Sequence, residues 1–402
     1  MALLSIADAL AQVLEGARPL RAEQVPLAAA HGRVLTEDLT AKRTQPPADV
    51  SAMDGYAVRA EDVAQVPATL KMIGEIAAGG AFAGEVRKGE AVRIFTGGVL
   101  PPGADTIVIQ ENTKRDGDAV TVTTVGTKGR HVRRAGLDFR QGDVLLEQGR
   151  RLSGRDLALA AAMNYPTLSV HRRPKVAVLA TGDELVLPGA APGPAQIVYS
   201  NGYAIMALAR REGADVSDLG IVPDRIDDTI TALRQARALD ADILLTSGGA
   251  SVGDYDLIQQ ALASEGLALS FWKIALRPGK PMMHGRLGGM QVLGVPGNPV
   301  SSFVCAYLFL VPLLRRLAGR HDLVPPAESA RLGRDLPAND ERAEYLRATL
   351  AEGPDGPIAT PFGTQDSSML ASLAKADCLI IREAFAPAQK AGEPCRVAKL
   401  PL

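Results

Sequence analysis

With 402 residues, the chain exceeds the ~250–300 at which a single hydrophobic core stops growing, so roughly two to four domains are expected. A 47% hydrophobic and 22% charged composition excludes a disordered chain. The balance of 44 Lys+Arg against 45 Asp+Glu, without a long basic block, removes the electrostatic footprint of nucleic-acid binding.

The N-terminal stretch lacks a positively charged leader and reads as a capped amphipathic helix, with Ser5 as N-cap and Ile6, Ala9, Leu10, Val13 and Leu14 on one face. Residues 1–50 continue irregularly to the Pro46-Pro47 pair. From Ser51 to Asp138 the texture is β, with short runs such as Ala91–Phe95 and Thr106–Gln110 between Gly-Gly, Pro-Pro-Gly and Asp-Gly turns, and without parallel-sheet periodicity. A second helix follows over Ser153–Asn164, with Ser153 as cap and Asp156 at the capping-box position, so 51–138 reads as an insertion between two halves of another domain.

From Pro174 to Arg320 strands alternate with helices. Strands Val176–Ala180, Val216–Val222, Ile243–Thr246 and Val292–Val295 are interleaved with helical stretches 202–211, 227–239, 255–265 and 300–317, the pattern of a doubly wound parallel α/β domain. The longest apolar run, Phe303–Leu314, falls short of the ~18 residues that would span a bilayer and contains Pro312, so no membrane segment is expected. Beyond the linker Val324-Pro325-Pro326, β-like pieces at Tyr345–Leu350, Cys378–Glu383 and Cys395–Leu400 suggest a small barrel or sandwich. Cys305, Cys378 and Cys395 suit neither a disulfide framework nor a zinc site, which fits a reducing cytoplasm.

Ligands of open α/β sheets bind beyond the carboxyl ends of the strands. The loops there read Ala180-Thr-Gly-Asp-Glu184, Ile221-Val-Pro-Asp224, Thr246 to Asp256, Leu276-Arg-Pro-Gly-Lys-Pro281 and Val295-Pro-Gly-Asn-Pro-Val-Ser301. Glycines admit a ligand to the backbone, and the N-termini of the following helices offer free N–H groups to phosphate or another oxyanion. Gly182, Ser247, Gly248, Gly249, Ser251, Gly253, Pro296, Gly297 and Asn298 are the expected substrate-binding positions. Arg277 and Lys280 offer fixed positive charge for a dianion, while Asp183, Glu184, Asp224, Asp254 and Asp256 offer hard oxygen ligands for Mg²⁺.

Gly249-Ala-Ser-Val-Gly253 matches a G-x-S-x-G nucleophile elbow, but Ser247-Gly-Gly separates its serine from the strand and no HGGG-type oxyanion motif accompanies it. The same loop is neither a dinucleotide fingerprint nor a Walker A sequence. His31, His131, His171, His284 and His321 have no metal-ligand spacing.

The ordered series Ser51-Ala-Met-Asp-Gly-Tyr-Ala-Val58, Thr96-Gly-Gly, Pro101-Pro-Gly-Ala-Asp105, Arg133-Arg-Ala-Gly-Leu-Asp138 and the five loops resembles the molybdopterin molybdenumtransferases, the family that includes the gephyrin E domain. The resemblance covers essentially the whole chain. It implies four parts that coincide with the texture: a discontinuous helical and β domain (1–50 and 139–173), an inserted β domain (51–138), the α/β molybdopterin-binding domain (174–320) and a C-terminal β-barrel (321–402).

It also implies transfer of molybdate to adenylylated molybdopterin with release of AMP, in a cytoplasmic homodimer that meets other proteins of molybdenum cofactor biosynthesis. Asp54, Thr96 and Asp138 would face Glu184, Asp224 and Asp256 of the other subunit across a shared cleft. Glu184, Asp224 and Asp256 would hold Mg²⁺, and Arg277, Lys280, Pro281 and Ser301, with Arg347 and Ser372 from the barrel, would form the molybdate pocket. Arg277 departs from a frequent family lysine, and Asp366 and Ala371 stand where glycine and serine are frequent. A molybdopterin adenylyltransferase shares the α/β fold and a gephyrin-like scaffold shares the barrel; the Ser51–Val58 motif with the extra domains, and the retained charged loop residues, argue against these alternatives.

Overall fold

A computed structural model describes residues 3–248 and 257–400. The first helix, Ile6–Leu14, forms where the pattern predicts it, with Ser5 Oγ accepting the Asp8 N–H at 3.1 Å. Its buried Ala9 and Val13 enter the core of the α/β domain, and Leu4 makes a β-bridge to Ile274.

The stretch expected to be irregular contains strands whose partners lie far along the chain. Ala22–Pro26 pairs antiparallel with Thr167–His171, and Leu39–Thr40 with Val144–Leu146. Helix Gly154–Ala162, closed by the Ser153/Asp156 capping box, covers this small core of Leu35, Leu39, Phe139, Leu146 and Leu168. The excursion between the two halves is a six-stranded sheet in the order Thr106–Ile109, Gly55–Val58, Glu90–Ile94, Ala68–Ile76, Ala119–Val122, Thr113–Asp116. One pair in it, Ala68–Ile76 with Glu90–Ile94, is parallel, contrary to the expectation. The glycine-rich 77–89 segment supplies the long return that a parallel pair needs, and such a crossover leaves no periodicity in the strands.

The α/β sheet runs in the order Asp215–Val222, Lys175–Thr181, Ile243–Ser247, Met290–Val295, Met283–Leu287, Ala268–Phe271. The first four strands are parallel. The last two are an antiparallel extension that the alternation of strand and helix did not reveal. Alternate residues of one strand face opposite cores, as period-2 geometry requires: Val176 and Val178 meet helix Asn201–Arg211, while Ala177 and Leu179 meet helices Ile226–Ala238 and Leu257–Ser264. The sheet is therefore doubly wound, and its strand order reverses between Lys175–Thr181 and Ile243–Ser247.

Pro299–Leu317 is one helical run whose middle, Ala306–Leu310, is π-helical. At 19 residues it is long and apolar enough to cross a membrane by length and composition, beyond the shorter run read from the sequence. Its most apolar stretch is 78% buried, because both faces pack inside the protein.

The C-terminal segment closes on itself. Ala343–Ala351, Ile358–Pro361, Ala327–Leu332, Pro394–Lys399 and Cys378–Arg382 pair in turn, and the last pairs back to the first, a five-stranded barrel. Leu276–Arg277 adds a sixth, parallel strand to it from outside. The loop 272–282 thus leaves the carboxyl edge of the α/β sheet and is stitched to the barrel.

Candidate active site

Three of the four motifs of the first half converge on the stretch 45–54. Ser51 exchanges backbone hydrogen bonds with Gly97 and Gly98, Val132-Arg133 pairs with Val50-Ser51, and the Asp138 N–H donates to the Gln45 carbonyl at 3.0 Å. Asp54 Oδ1 accepts both the backbone N–H and the hydroxyl of Thr96, each at 2.8 Å. The Thr96 N–H, then its hydroxyl and the nearby Arg93 guanidinium hold the Asp54 carboxyl below its ordinary value. Asp138 is exposed, and its side chain has no hydrogen-bond partner among the described residues.

A second cluster lies at the carboxyl edge of the α/β sheet, where the strand order reverses. Asp183 Oδ1 accepts the Asp224 N–H at 3.2 Å, so the first two loops touch. Glu184 and Asp224 are exposed. The Glu184 carboxylate folds back over Gly182, whose φ is +146° and where an added Cβ would lie 2.4 Å from Glu184 Oε2. Gly248, at φ +95°, brings its backbone against the Thr181 carbonyl, 2.5 Å from where a Cβ would stand. Ser247 is buried, Pro296 is buried, and Gly297 and Asn298 are exposed at the start of helix Pro299–Cys305. Gly249, Ser251, Gly253, Asp254 and Asp256 lie outside the described residues.

Among the described residues, no group of three His, Cys, Asp or Glu side chains gathers into a metal site. The donor set still suits Mg²⁺, which is usually held by one or two carboxylates together with substrate phosphates. Glu184 and Asp224 are hard oxygen donors of that kind on adjoining loops.

The proposed anion pocket is less uniform than the sequence suggests. Arg277 is ion-paired with Asp340 and with Glu344, the latter at 2.8 Å. Lys280 is exposed and pairs with no carboxylate among the described residues, and Pro281 after it is half-buried. Arg347 is 1% exposed. Its guanidinium donates to Gln365 Oε1, to the Met369 and Asp366 carbonyls and to Ser372 Oγ, and burial presses its pKa down. Ser372, 7% exposed, passes its own hydrogen to the Met369 carbonyl at 2.9 Å. Arg347 and Ser372 therefore brace the loop 365–372, where the resemblance implied that they reach molybdate directly. Ser367 of that loop accepts from Asn298 Nδ2 at 2.9 Å, and its carbonyl accepts the Val300 N–H, which seats the barrel on the helix that carries buried Ser301.

Two residues escaped sequence reasoning. Asn201 Nδ2 donates to Ser247 Oγ at 3.1 Å and to the Gly297 carbonyl at 2.7 Å, tying two of the loops together. Lys273 is exposed beside Lys280, since the Ile274 N–H donates to the Lys280 carbonyl at 3.1 Å. The Asn at a helix start after Tyr199-Ser200 was a readable signal for the first; the folded-back loop hid the second.

No hydrogen bond or ion pair joins Asp54, Thr96 or Asp138 to Glu184 or Asp224 within one chain. A doubly wound α/β domain, an inserted six-stranded sheet and a closed barrel define a multidomain protein whose glycine-rich loops gather where the strand order reverses. Three family descriptions match along the chain: MoeA N-terminal region (domain I and II) over residues 4–164, probable molybdopterin binding domain over 177–316, and MoeA C-terminal region (domain IV) over 329–400. A molybdopterin molybdenumtransferase of Nostoc sp. is 36% identical over 94% of this chain and 89% of its own length. One of Haemophilus influenzae is 35% identical over 93% of each. The crystal structure of the molybdopterin biosynthesis MoeA protein from Pyrococcus horikoshii superposes with a TM-score of 0.84 at 30% identity, over 99% of both chains. The chain belongs to the molybdopterin molybdenumtransferases, transferases of molybdenum cofactor biosynthesis.

Proposed function

We propose that this chain transfers molybdate to the dithiolene of adenylylated molybdopterin and releases AMP. The observation that carries the reading is the meeting of loops at the reversal of strand order, where Asp183 touches Asp224, Gly248 packs on Thr181 and Asn201 links Ser247 to Gly297, an edge suited to a phosphate ester. Mg²⁺ held by Glu184, Asp224 and Asp256 would offset phosphate charge there. Lys280, with Arg277, Pro281 and Ser301, would draw the tetrahedral dianion toward the same edge. Arg347 and Ser372 would hold the barrel loop that closes the pocket. Asp256 would also contact the substrate, as would Gly249, Ser251 and Gly253 of its loop.

The two clusters are complementary halves. In a homodimer, Asp54, Thr96 and Asp138 of one subunit would complete the site of the other. The division into 1–50 with 139–173, 51–138, 174–320 and 321–402 fits this arrangement, with the inserted part and the α/β part as opposing walls. Residence in the cytoplasm follows from the same biosynthetic role.

Incubation with adenylylated molybdopterin, molybdate and Mg²⁺ should release AMP only when all three are present. Release that is indifferent to molybdate would overturn the reaction. Asp54→Ala and Glu184→Ala should each be inactive, yet regain activity when subunits are exchanged. Exchange verified by mass, without recovery, would place each site within one chain.

A further inference from the structure

Asn201 opens the helix Asn201–Arg211, and the Ser200 side chain before it makes no capping hydrogen bond. The orientation of the Asn201 amide follows from its neighbours. The Gly297 carbonyl can only accept, so the NH₂ group must face it, at 2.7 Å. The same NH₂ reaches Ser247 Oγ at 3.1 Å. A donor-only group on that side makes the serine oxygen the acceptor, and the serine hydrogen must then point elsewhere. Among the described residues nothing receives it.

Ser247 is 3% exposed, on the strand that borders the reversal of strand order, with Ala180 and Val295 as its sheet neighbours. A buried hydroxyl at this edge, one lone pair occupied and its hydrogen free, is a preset donor for an anion. We infer that Asn201 is a positioning residue of the transfer reaction: it joins the Ser247 and Gly297 loops and turns the Ser247 hydroxyl hydrogen toward the phosphate of the nucleotide portion of the substrate. The inference rests on the adenylylated substrate proposed above.

The test is AMP binding by calorimetry to the full-length protein and to Asn201→Ala, Asn201→Asp, Ser247→Ala and the Asn201→Asp/Ser247→Ala double variant. A carboxylate at position 201 accepts the serine hydrogen and faces the Gly297 carbonyl unfavourably, so Asn201→Asp should weaken AMP about tenfold or more and at least as much as Asn201→Ala. In the Ser247→Ala background the Asp substitution should cost clearly less than in the parent, because no serine hydrogen is left to misdirect and only the Gly297 contact is lost. The molybdate concentration for half-maximal turnover should stay near that of the parent. Parent-like AMP binding by Asn201→Asp would overturn the inference alone. So would an undiminished loss in the Ser247→Ala background, which would mean simple repulsion by the new charge. A parent that binds no AMP would overturn the nucleotide reading and this inference together.

Discussion

Replacing Arg347 by lysine keeps the charge and removes the fork. In the parent, three guanidinium nitrogens spread over Gln365, Asp366, Met369 and Ser372, so one side chain fixes a whole turn of loop. A lysine has a single nitrogen and can reach about two of these acceptors, which leaves about two part-buried acceptors unserved. At a net 0.5–1.5 kcal/mol per bond, the loop should lose about 2 kcal/mol of local stability. Opening of the loop would rise about 30-fold, since each 1.4 kcal/mol is tenfold. Hydrogen exchange reads this directly: the amides of Ser368, Met369 and Leu370, bonded within the loop, should exchange faster, while helix Gly154–Ala162 serves as an unaffected reference. Because Ser367 seats the loop on Asn298 and Val300, the molybdate requirement should rise with the exchange rate. Unchanged exchange in the Arg347→Lys protein would refute the idea that the planar fork holds the loop.

Lys280→Ala should raise the molybdate concentration for half-maximal turnover by about tenfold, whereas Arg277→Ala should raise it less, because Asp340 and Glu344 already offset the Arg277 charge; the reverse order in a titration would reassign the two cations. The Asp54 carboxyl should titrate, by carbon NMR, below the ordinary aspartate value of about 3.9, and Thr96→Ala should bring it part of the way back. Its folded pKa is depressed, so its hold on the Thr96 loop is complete above that ordinary value and fades as pH falls through the lowered one; a midpoint at or above 3.9 would contradict the Thr96 contacts. Gly202→Ala should cost about 1–3 kcal/mol despite the better helix former, because its Cβ would stand 1.5 Å from the hydroxyl of Tyr199, a residue only 2% exposed; an unchanged urea midpoint would show that the tyrosine moves aside freely.

The α/β domain was legible because its signals are local. The strands Lys175–Thr181, Ile243–Ser247 and Met290–Val295 each carry an apolar run, and the loops after them carry glycine. The Ser5 and Ser153 caps were readable for the same reason. What stayed hidden depends on partners far away in the chain. Ala22–Pro26 is a strand only because Thr167–His171 lies beside it, and Leu276–Arg277 joins the barrel although in sequence it lies between the α/β strands Ala268–Phe271 and Met283–Leu287. The site divides in the same way. Asp183, Glu184 and Asp224 could be placed at strand ends from the sequence, but only the fold reveals that Arg277 is already ion-paired, that Arg347 is inaccessible, and that Asn201 bridges two loops.

The placement of the first helix bears on how the chain matures during synthesis. Ala9 and Val13 lie against a core completed by helix Val311–Leu317, and Leu4 bridges to Ile274, so this helix gains its partners only after about 260 to 300 further residues have been made. Until then its apolar stripe has nothing of its own to cover it. The inserted sheet, whose pairings all fall between Gly55 and Val122, needs no such delay. Its assembly ahead of the domain that encloses it would leave the amino end of the chain as one of the last pieces to settle, and a ribosome-stalled chain ending before Ile274 should expose Ile6–Leu14 to protease while the inserted sheet is already resistant.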